Sequence, residues 1–463
     1  MKFKNKPINI RYLLGWLAAL SLLAALVRQH FSNKEDILAL IQKLEPAAVQ
    51  VHQSEGMYKT YVISDKTDKL LSYGVISYAS GYGGPITLLT EISPQGSIIR
   101  ITMLENSETP LYLDKVMKKG YPENLAGKEI TKPLESNPDI DVVSGATRTT
   151  KGILMAVEKG MYQVGKNQLH LNVPNVEGPH VQWTDGAVVG VLLGAIVAAG
   201  RNMRKVRPWL LALSVIVLGF VANVSLTLGN YVSILTGKMP SLVERPVWYI
   251  MVIGILVVVL FWGKNFYCSW LCPFGAAQEG IYKALNLLNY QVPRQIVEKA
   301  RKLRWPLIWL AVLLALLYNN PGIASYEPFA VFFSGNGNTD QWLIMGLILL
   351  LSIITLRFWC RCFCPVGTVL DFLATLKYKV KRYWRQRSKG LPDENKDWVR
   401  CSGKNIKESG KEDKDKAKSA HCSCSSCKAE QAEQRKQSPL DKMMAGLILG
   451  IEILILITLF RNL

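Results

Sequence analysis

Four cysteines in two matched segments are the residues best suited to chemistry. FYCSWLCPFG holds Cys268 and Cys272, FWCRCFCPVG holds Cys360 and Cys364, and both positions recur after 92 residues. Such regularity marks two copies of one unit. On a continuous helix, cysteines four apart share a face, and two copies supply the four soft thiolates that a [4Fe–4S] cluster takes. Buried free thiols and a zinc site compete with this assignment, but the repeated Cys-x-x-x-Cys-Pro-x-Gly spacing favours the cluster. Cys362, two residues from each neighbour, would point about 200° away on such a helix and is expected to be spare.

The second chemical stretch is DVVSGATRTT, residues 141–150. Gly145 and Ala146 leave little bulk beside the Thr147 hydroxyl, and the apolar pattern of residues 152–164 predicts a helix whose start faces it. Free amides at a helix start favour a phosphate; a capped helix after a turn is the plainer alternative. Upstream stand GYGGPI, in which Gly83 and Gly84 would let backbone approach a bound group or simply form a turn, and Glu108-Thr109-Pro110.

GYGGPI, then Glu-Thr-Pro, then Asp-x-x-Ser-Gly-Ala-Thr resembles the FMN-binding domain of NosR-like and Rnf/Nqr-type redox proteins along most of its length. The resemblance implies FMN joined through a phosphoester to Thr147, with Asp141, Ser144, Gly145, Ala146, Gly83, Gly84, Glu108 and Thr109 around it, and a flavin transferase for its attachment. Leu111 stands where that family usually has Gly, which puts the local turn in question. The cysteine segments resemble those of NosR, NapH and PceC-type membrane iron–sulfur proteins.

The elements that must position these groups are mostly apolar. With 463 residues, 49% of them hydrophobic and gathered in blocks, the chain is too hydrophobic for one soluble domain. A net charge of +20 would suggest nucleic acid in a soluble fold. Here the charge flanks the apolar blocks, so a basic cytoplasmic face explains it and no nucleic-acid partner is expected. Nine cysteines, none before Cys268, argue against a disulfide framework. None of the five histidines lies in an apolar run, which disfavours a b-type cytochrome. The runs also lack obvious ionisable residues to mark a transporter's ion path.

Apolar runs at residues 13–27, 186–199, 209–228, 247–262, 305–318, 342–359 and 443–460 predict about seven spans. Basic loops place the N-terminus inside and the C-terminus outside. The expected organisation is a membrane anchor (1–28), an extracytoplasmic α+β FMN-binding domain (29–184), a polytopic α-helical membrane domain with both cysteine segments (185–376), a basic cytoplasmic segment (377–441) and a last membrane helix (442–463). Within the α+β domain, residues 71–78, 86–92 and 98–104 read as strands and 35–51 as an amphipathic stretch. Residues 377–442 carry 19 Lys and Arg against 10 Asp and Glu. There Cys401, Cys422, Cys424 and Cys427 form a second candidate site, with iron–sulfur, zinc and unliganded thiols level.

These features, with the resemblance to the NosR/PceC (RdhC) group, lead to a multi-pass protein of the cytoplasmic membrane. It would pass electrons from quinol or a cytoplasmic donor through a [4Fe–4S] cluster and FMN to an extracytoplasmic reductase such as a reductive dehalogenase or nitrous-oxide reductase. The alternative is a redox-sensing regulatory or maturation protein for such a reductase. A bound quinone, a dimer partner or docking of the flavin domain onto the membrane part would be needed to link an outer flavin to an inner cluster.

Overall fold

The computed structural model describes residues 10–32, 37–46, 48, 50–54, 56–134, 142–174, 182–285, 292–335, 337–389 and seven positions between 443 and 456. Asp141 and the cysteines at 401, 422, 424 and 427 lie outside the described residues.

After helix α1 (Ile10–Ser32) and the short α2 (Ile37–Leu44), five strands follow: β1 (Gln50–Ser54), β2 (Lys59–Ser64), β3 (Leu70–Ser80), β4 (Pro85–Ile92) and β5 (Ile98–Asn106). They pair in chain order, each antiparallel to the next, as a meander. Three of these strands match the expected segments. β1 and β2 do not, because their polar residues break the apolar alternation.

Period-two alternation splits the sheet's side chains between two faces. Val75 and Leu88 face one core with α5 (Thr147–Asn167), while Ile63 and Leu89 face a second with Ile41 of α2. Helix α5 lies close on the sheet, and Ser77 Oγ donates to the Ala156 carbonyl at 2.6 Å. Two shorter helices, α3 (Pro110–Lys118) and α4 (Tyr121–Asn124), stand between β5 and α5. Leu111, the departure from the family pattern, is simply the buried second residue of α3 behind Pro110, so the turn there is an ordinary helix start.

The rest of the chain is helical: α6 (Trp183–Gly200), α7 (Arg207–Ser214) running into a π-helical turn (Val215–Val221), α8 (Leu228–Thr236) and α9 (Pro246–Trp262). Then come α10 (Phe266–Trp270), α11 (Pro273–Leu285), α12 (Arg294–Leu317), α13 (Phe329–Ser334), α14 (Thr339–Ile354), α15 (Phe358–Cys362) and α16 (Pro365–Lys389). Against an expectation of about seven spans, one described helix, α6, is long and apolar enough to cross a membrane alone. The run of α9 into α10 and α11, bent by 103°, makes a second if both sides count as one span.

Two irregular segments fold back among the helices: residues 222–227, and residues 320–328 with the 3₁₀ turn Pro321–Ala324. Their burial is large; Leu226 is 2% and Ala324 0% exposed. The sheet domain docks on these segments and on the 237–245 connection. Asn320 Nδ2 donates to Asn106 Oδ1 at 3.2 Å and to the Glu108 carbonyl at 3.0 Å. A Cβ on Gly322 would lie 2.3 Å from that carbonyl, so only glycine permits the approach. Glu244 accepts from Ser80 N–H at 2.7 Å and pairs with Lys159.

Candidate functional site

The docked surfaces enclose a cavity of about 790 Å³, within the range of a small-molecule or cofactor site. Tyr82, Gly83, Thr109 and Tyr112 line it from the sheet domain, Arg148 and Lys151 from α5, and Ser225, Thr227, Arg245 and Glu327 from the helical part. Burial and the neighbouring Arg148 lower the pKa of Arg245 to about 10, leaving it a cation at neutral pH.

Four residues of the SGAT segment build the mouth of α5. Gly145 has φ +83°, a conformation that favours glycine. Ala146 is buried at 4% and caps the helix without a side-chain bond. Ser144 and Thr147 are exposed, Thr147 being the first helical residue. The next residue, Arg148, and Lys151 one turn on both line the cavity. Thr147 itself does not line the cavity, but its hydroxyl stands at an uncapped helix start one residue before Arg148, a setting that fits a phosphate.

Glu108 is wholly buried and ties the family blocks together. Its Oε2 accepts from Thr149 Oγ at 2.6 Å and its Oε1 from Gly83 N–H at 3.0 Å. Thr109 and Gly83 reach the cavity, whereas Glu108 acts from behind its wall. The glycines of GYGG have a packing reason: a Cβ on Gly83 would lie 2.5 Å from the Ser107 carbonyl, and one on Gly84 2.7 Å from Ser107 Cβ.

The four predicted thiols come together beneath this assembly, but not on continuous helices. α10 ends at Trp270 and α15 at Cys362; Leu271 and Phe363 break the helix, and Pro273 and Pro365 open α11 and α16. Proline cannot continue the helix, and it pushes the residue before it out of the helical region. Cys272 and Cys364 therefore cap the following helices instead of sharing a face with Cys268 and Cys360. Each cap sulfur accepts from an amide in the first turn, Gly275 N–H at 3.4 Å and Gly367 N–H at 3.3 Å, which stabilises negative charge at the positive helix end.

The repeats interlock symmetrically. A Cβ on Gly275 would lie 3.5 Å from Cys360 Sγ and 3.6 Å from Cys272 Sγ; one on Gly367 would lie 3.6 Å from both Cys268 and Cys364 Sγ. Both glycines thus keep open the space between sulfurs of different repeats. Among the described residues no three His, Cys, Asp or Glu converge on a single ion, whereas four thiolates on one zinc at about 2.3 Å would lie within ~4 Å of each other. Four thiols brought together from two repeats are the soft donor set that a [4Fe–4S] cluster takes. Cys362 is 1% exposed in the helical core.

Sequence reasoning missed the groups that clamp the repeats. Arg357 of the second repeat binds Glu279 in the first, and Asn265 of the first donates to Asp371 in the second at 2.9 Å. Both partner types recur after the same 92 residues as the cysteines, which was the available signal. Arg207 adds a two-pronged pair to Glu279, 2.9 Å at each contact.

Two contacts link segments that line the cavity to the residues beside the thiols. Leu226, between the lining residues Ser225 and Thr227, donates its N–H to Tyr267 Oη at 3.2 Å, and Tyr267 precedes Cys268. Tyr326, between the lining residues Ser325 and Glu327, packs edge-on against Trp359 at 6.4 Å between centroids, and Trp359 precedes Cys360.

Residues 81–161 match the FMN-binding domain family, and residues 244–290 and 342–392 match the 4Fe-4S binding domain family. With the cavity and the gathered thiols, these define a chain that joins an FMN-binding domain to a 4Fe-4S binding domain. Protein NirI of Paracoccus denitrificans is 27% identical over 201 residues, covering 40% of this chain and 30% of NirI. Regulatory protein NosR of Pseudomonas aeruginosa is 26% identical over 189 residues, covering 38% of this chain and 26% of NosR. One component of the ion-translocating oxidoreductase complex of Cereibacter sphaeroides is 24% identical over 205 residues, which cover 37% of this chain and 90% of that component. The chain is thus similar in part to NirI and NosR, and its matches span less than a third of the length of each.

Proposed function

We propose that this chain is a multi-pass protein of the cytoplasmic membrane that carries electrons between a [4Fe–4S] cluster held by Cys268, Cys272, Cys360 and Cys364 and FMN esterified to Thr147. Bound there, the two cofactors supply the redox chemistry. The chain's residues fix their positions: Arg148 and Lys151 neutralise phosphate charge, and the helix-start amides of α11 and α16 offset the negative charge of the thiolates. The observation that carries the proposal is the pair of aromatic contacts, Tyr267 and Trp359, between the cavity and the cysteines. Hydrocarbon roughly 30 Å thick would separate an outer flavin from an inner cluster. The buried segments 222–227 and 320–328 shorten that path, as irregular backbone at membrane depth can where protein surrounds it. Docking of the flavin domain thus answers the need for a link without a carrier between the two groups.

About seven spans, with the N-terminus inside and the flavin domain outside, suit this role. So do quinol or a cytoplasmic reductant as donor, a flavin transferase for maturation, and an extracytoplasmic reductase, such as a reductive dehalogenase or nitrous-oxide reductase, as acceptor. The name of NosR, a regulatory protein, supports redox sensing as the second reading. The test is covalent flavin: denatured protein co-expressed with a flavin transferase should fluoresce as flavin in a gel, and Thr147→Ala should not. Fluorescence retained by Thr147→Ala would remove the attachment site from the proposal.

A further inference from the structure

Three other buried acids here have a cation or hydrogen bonds to both oxygens: Glu279 meets Arg207, Lys283 and Arg357, Glu244 meets Lys159, and Glu108 accepts from Thr149 and Gly83. Glu327 has neither. It is 5% exposed on the helical wall of the cavity. Its Oε1 accepts from Leu228 N–H at 2.6 Å, capping α8, and its Oε2 has no hydrogen-bond partner among the described residues. Tyr231 Oη and Tyr326 Oη are also buried without partners. Tyr326, next to Glu327 in sequence, packs edge-on against Trp359, the residue before Cys360. This polar group therefore sits between the cavity and the thiols.

A helix cap requires only one oxygen, which Gln would provide equally. A carboxylate bare on its other oxygen in such a place is strongly disfavoured, so the group carries a proton. Tyr326 beside it and Tyr231 on α8 are the titratable groups that face it; the charged groups on the other cavity walls are Arg148, Lys151, Glu158, Asp185, Glu244 and Arg245.

We infer that Glu327 is the proton donor and acceptor for the redox group in the cavity, with Oε2 holding the proton. This rests on the FMN assignment above. Reduction of an isoalloxazine ring by two electrons takes up two protons. The electrons arrive singly from the reduced cluster, which its donor re-reduces. One proton leaves Oε2 for a ring nitrogen and the second comes from water; the Glu327 carboxylate then regains its proton from water in the cavity. Oxidation runs the same transfers in reverse.

The test uses the full flavinylated chain in lipid nanodiscs, reduced in a stopped-flow instrument by reduced methyl viologen, with cluster and flavin absorbance followed separately. Wild-type flavin reduction should be fastest at low pH, where Glu327 holds its proton, and slow as pH rises. Glu327→Gln should slow flavin reduction at least tenfold at pH 7, leave cluster reduction unchanged and recover partly with added imidazole. Glu327→Asp, which keeps the proton but withdraws it, should fall between. A protonated-carboxyl band in the reduced-minus-oxidised infrared spectrum should shift in D₂O and vanish in Glu327→Gln. Wild-type flavin rates together with an unchanged band in Glu327→Gln would overturn the inference and leave the FMN assignment standing. Protein that never acquires flavin would overturn both.

Discussion

The guanidinium of Arg357 is held by the carboxylate of Glu279, Nη2 to Oε2 at 2.6 Å and Nε to Oε2 at 3.0 Å, while Nη1 donates to the Cys268 carbonyl at 2.6 Å. One side chain thus joins the second cysteine repeat to an acid and to the Cys268 backbone of the first. Arg357 is itself at φ +53°, a left-handed turn that ends the line of α14 and aims α15 at its partner. Arg357→Ala should therefore lower cluster content while leaving helix content near wild type, measured by iron analysis and far-ultraviolet circular dichroism. Full iron occupancy in that variant would mean that the clamp is dispensable.

Glu279 also gives the repeat pair an acid limit. Burial opposes its charge, but hydrogen bonds from Arg207 and Lys283 and the charge of Arg357 outweigh this and lower its pKa from 4.5 to about 2. A depressed pKa contributes stability that is present above the unfolded value and lost as pH falls through the folded one. The contribution is roughly 2–3 kcal/mol at neutral pH. Glu279→Gln should melt below wild type at pH 7, with the gap closing between pH 4.5 and 2. A gap that does not change with pH would exclude this role.

Among the cysteines, serine at 268, 272, 360 or 364 should abolish the electron-paramagnetic signal of a reduced [4Fe–4S] cluster in anaerobically purified protein. Cys362→Ser should keep it. A shared helix face is not the reason, since the helices break at Leu271 and Phe363. The two glycine clefts instead gather sulfurs 272 with 360 and 268 with 364. Loss of the signal in Cys362→Ser with retention in Cys360→Ser would reassign the ligands.

Glu108 joins Gly83 to Thr149 in a buried place, so Glu108→Ala strands two donors and should cost about 1–3 kcal/mol. Burial raises its pKa above 4.5 despite hydrogen bonds from Thr149 and Gly83. A raised pKa favours the folded state most at low pH, and that stability is lost as pH rises through the folded value. Glu108→Gln, which cannot ionise, should thus gain on wild type as pH rises, read by flavin fluorescence during thermal unfolding. A constant or shrinking gain would count against the assignment.

Sidedness can be read from labelling. Gln95, exposed in the β4–β5 turn, and Lys205, exposed between α6 and α7, should fall on opposite faces. In a background without native thiols, Gln95→Cys should react with a membrane-impermeant maleimide in intact cells and Lys205→Cys only after permeabilisation. The reverse pattern would invert the proposed topology.

The sequence by itself determined what depends on contiguous residues. GYGGPI, SGAT and the two Cys-Pro segments are short strings whose chemistry is local: Gly145 at positive φ, Thr147 at a helix start, proline after each second cysteine. The three strands with clean alternation were legible for the same reason. Only the tertiary structure decided what crosses between strings. Cys272 shares its cleft with Cys360, Arg357 and Asn265 each find an acid in the other repeat, and Gly322 admits the Glu108 carbonyl. Such pairings depend on where the chain folds back, which local propensity and hydrophobic period do not encode. Glu327 shows the limit most clearly: between Tyr326 and Pro328 it reads as one more loop acid, and only the packing of α8 and the cavity around it leaves it buried without a cation.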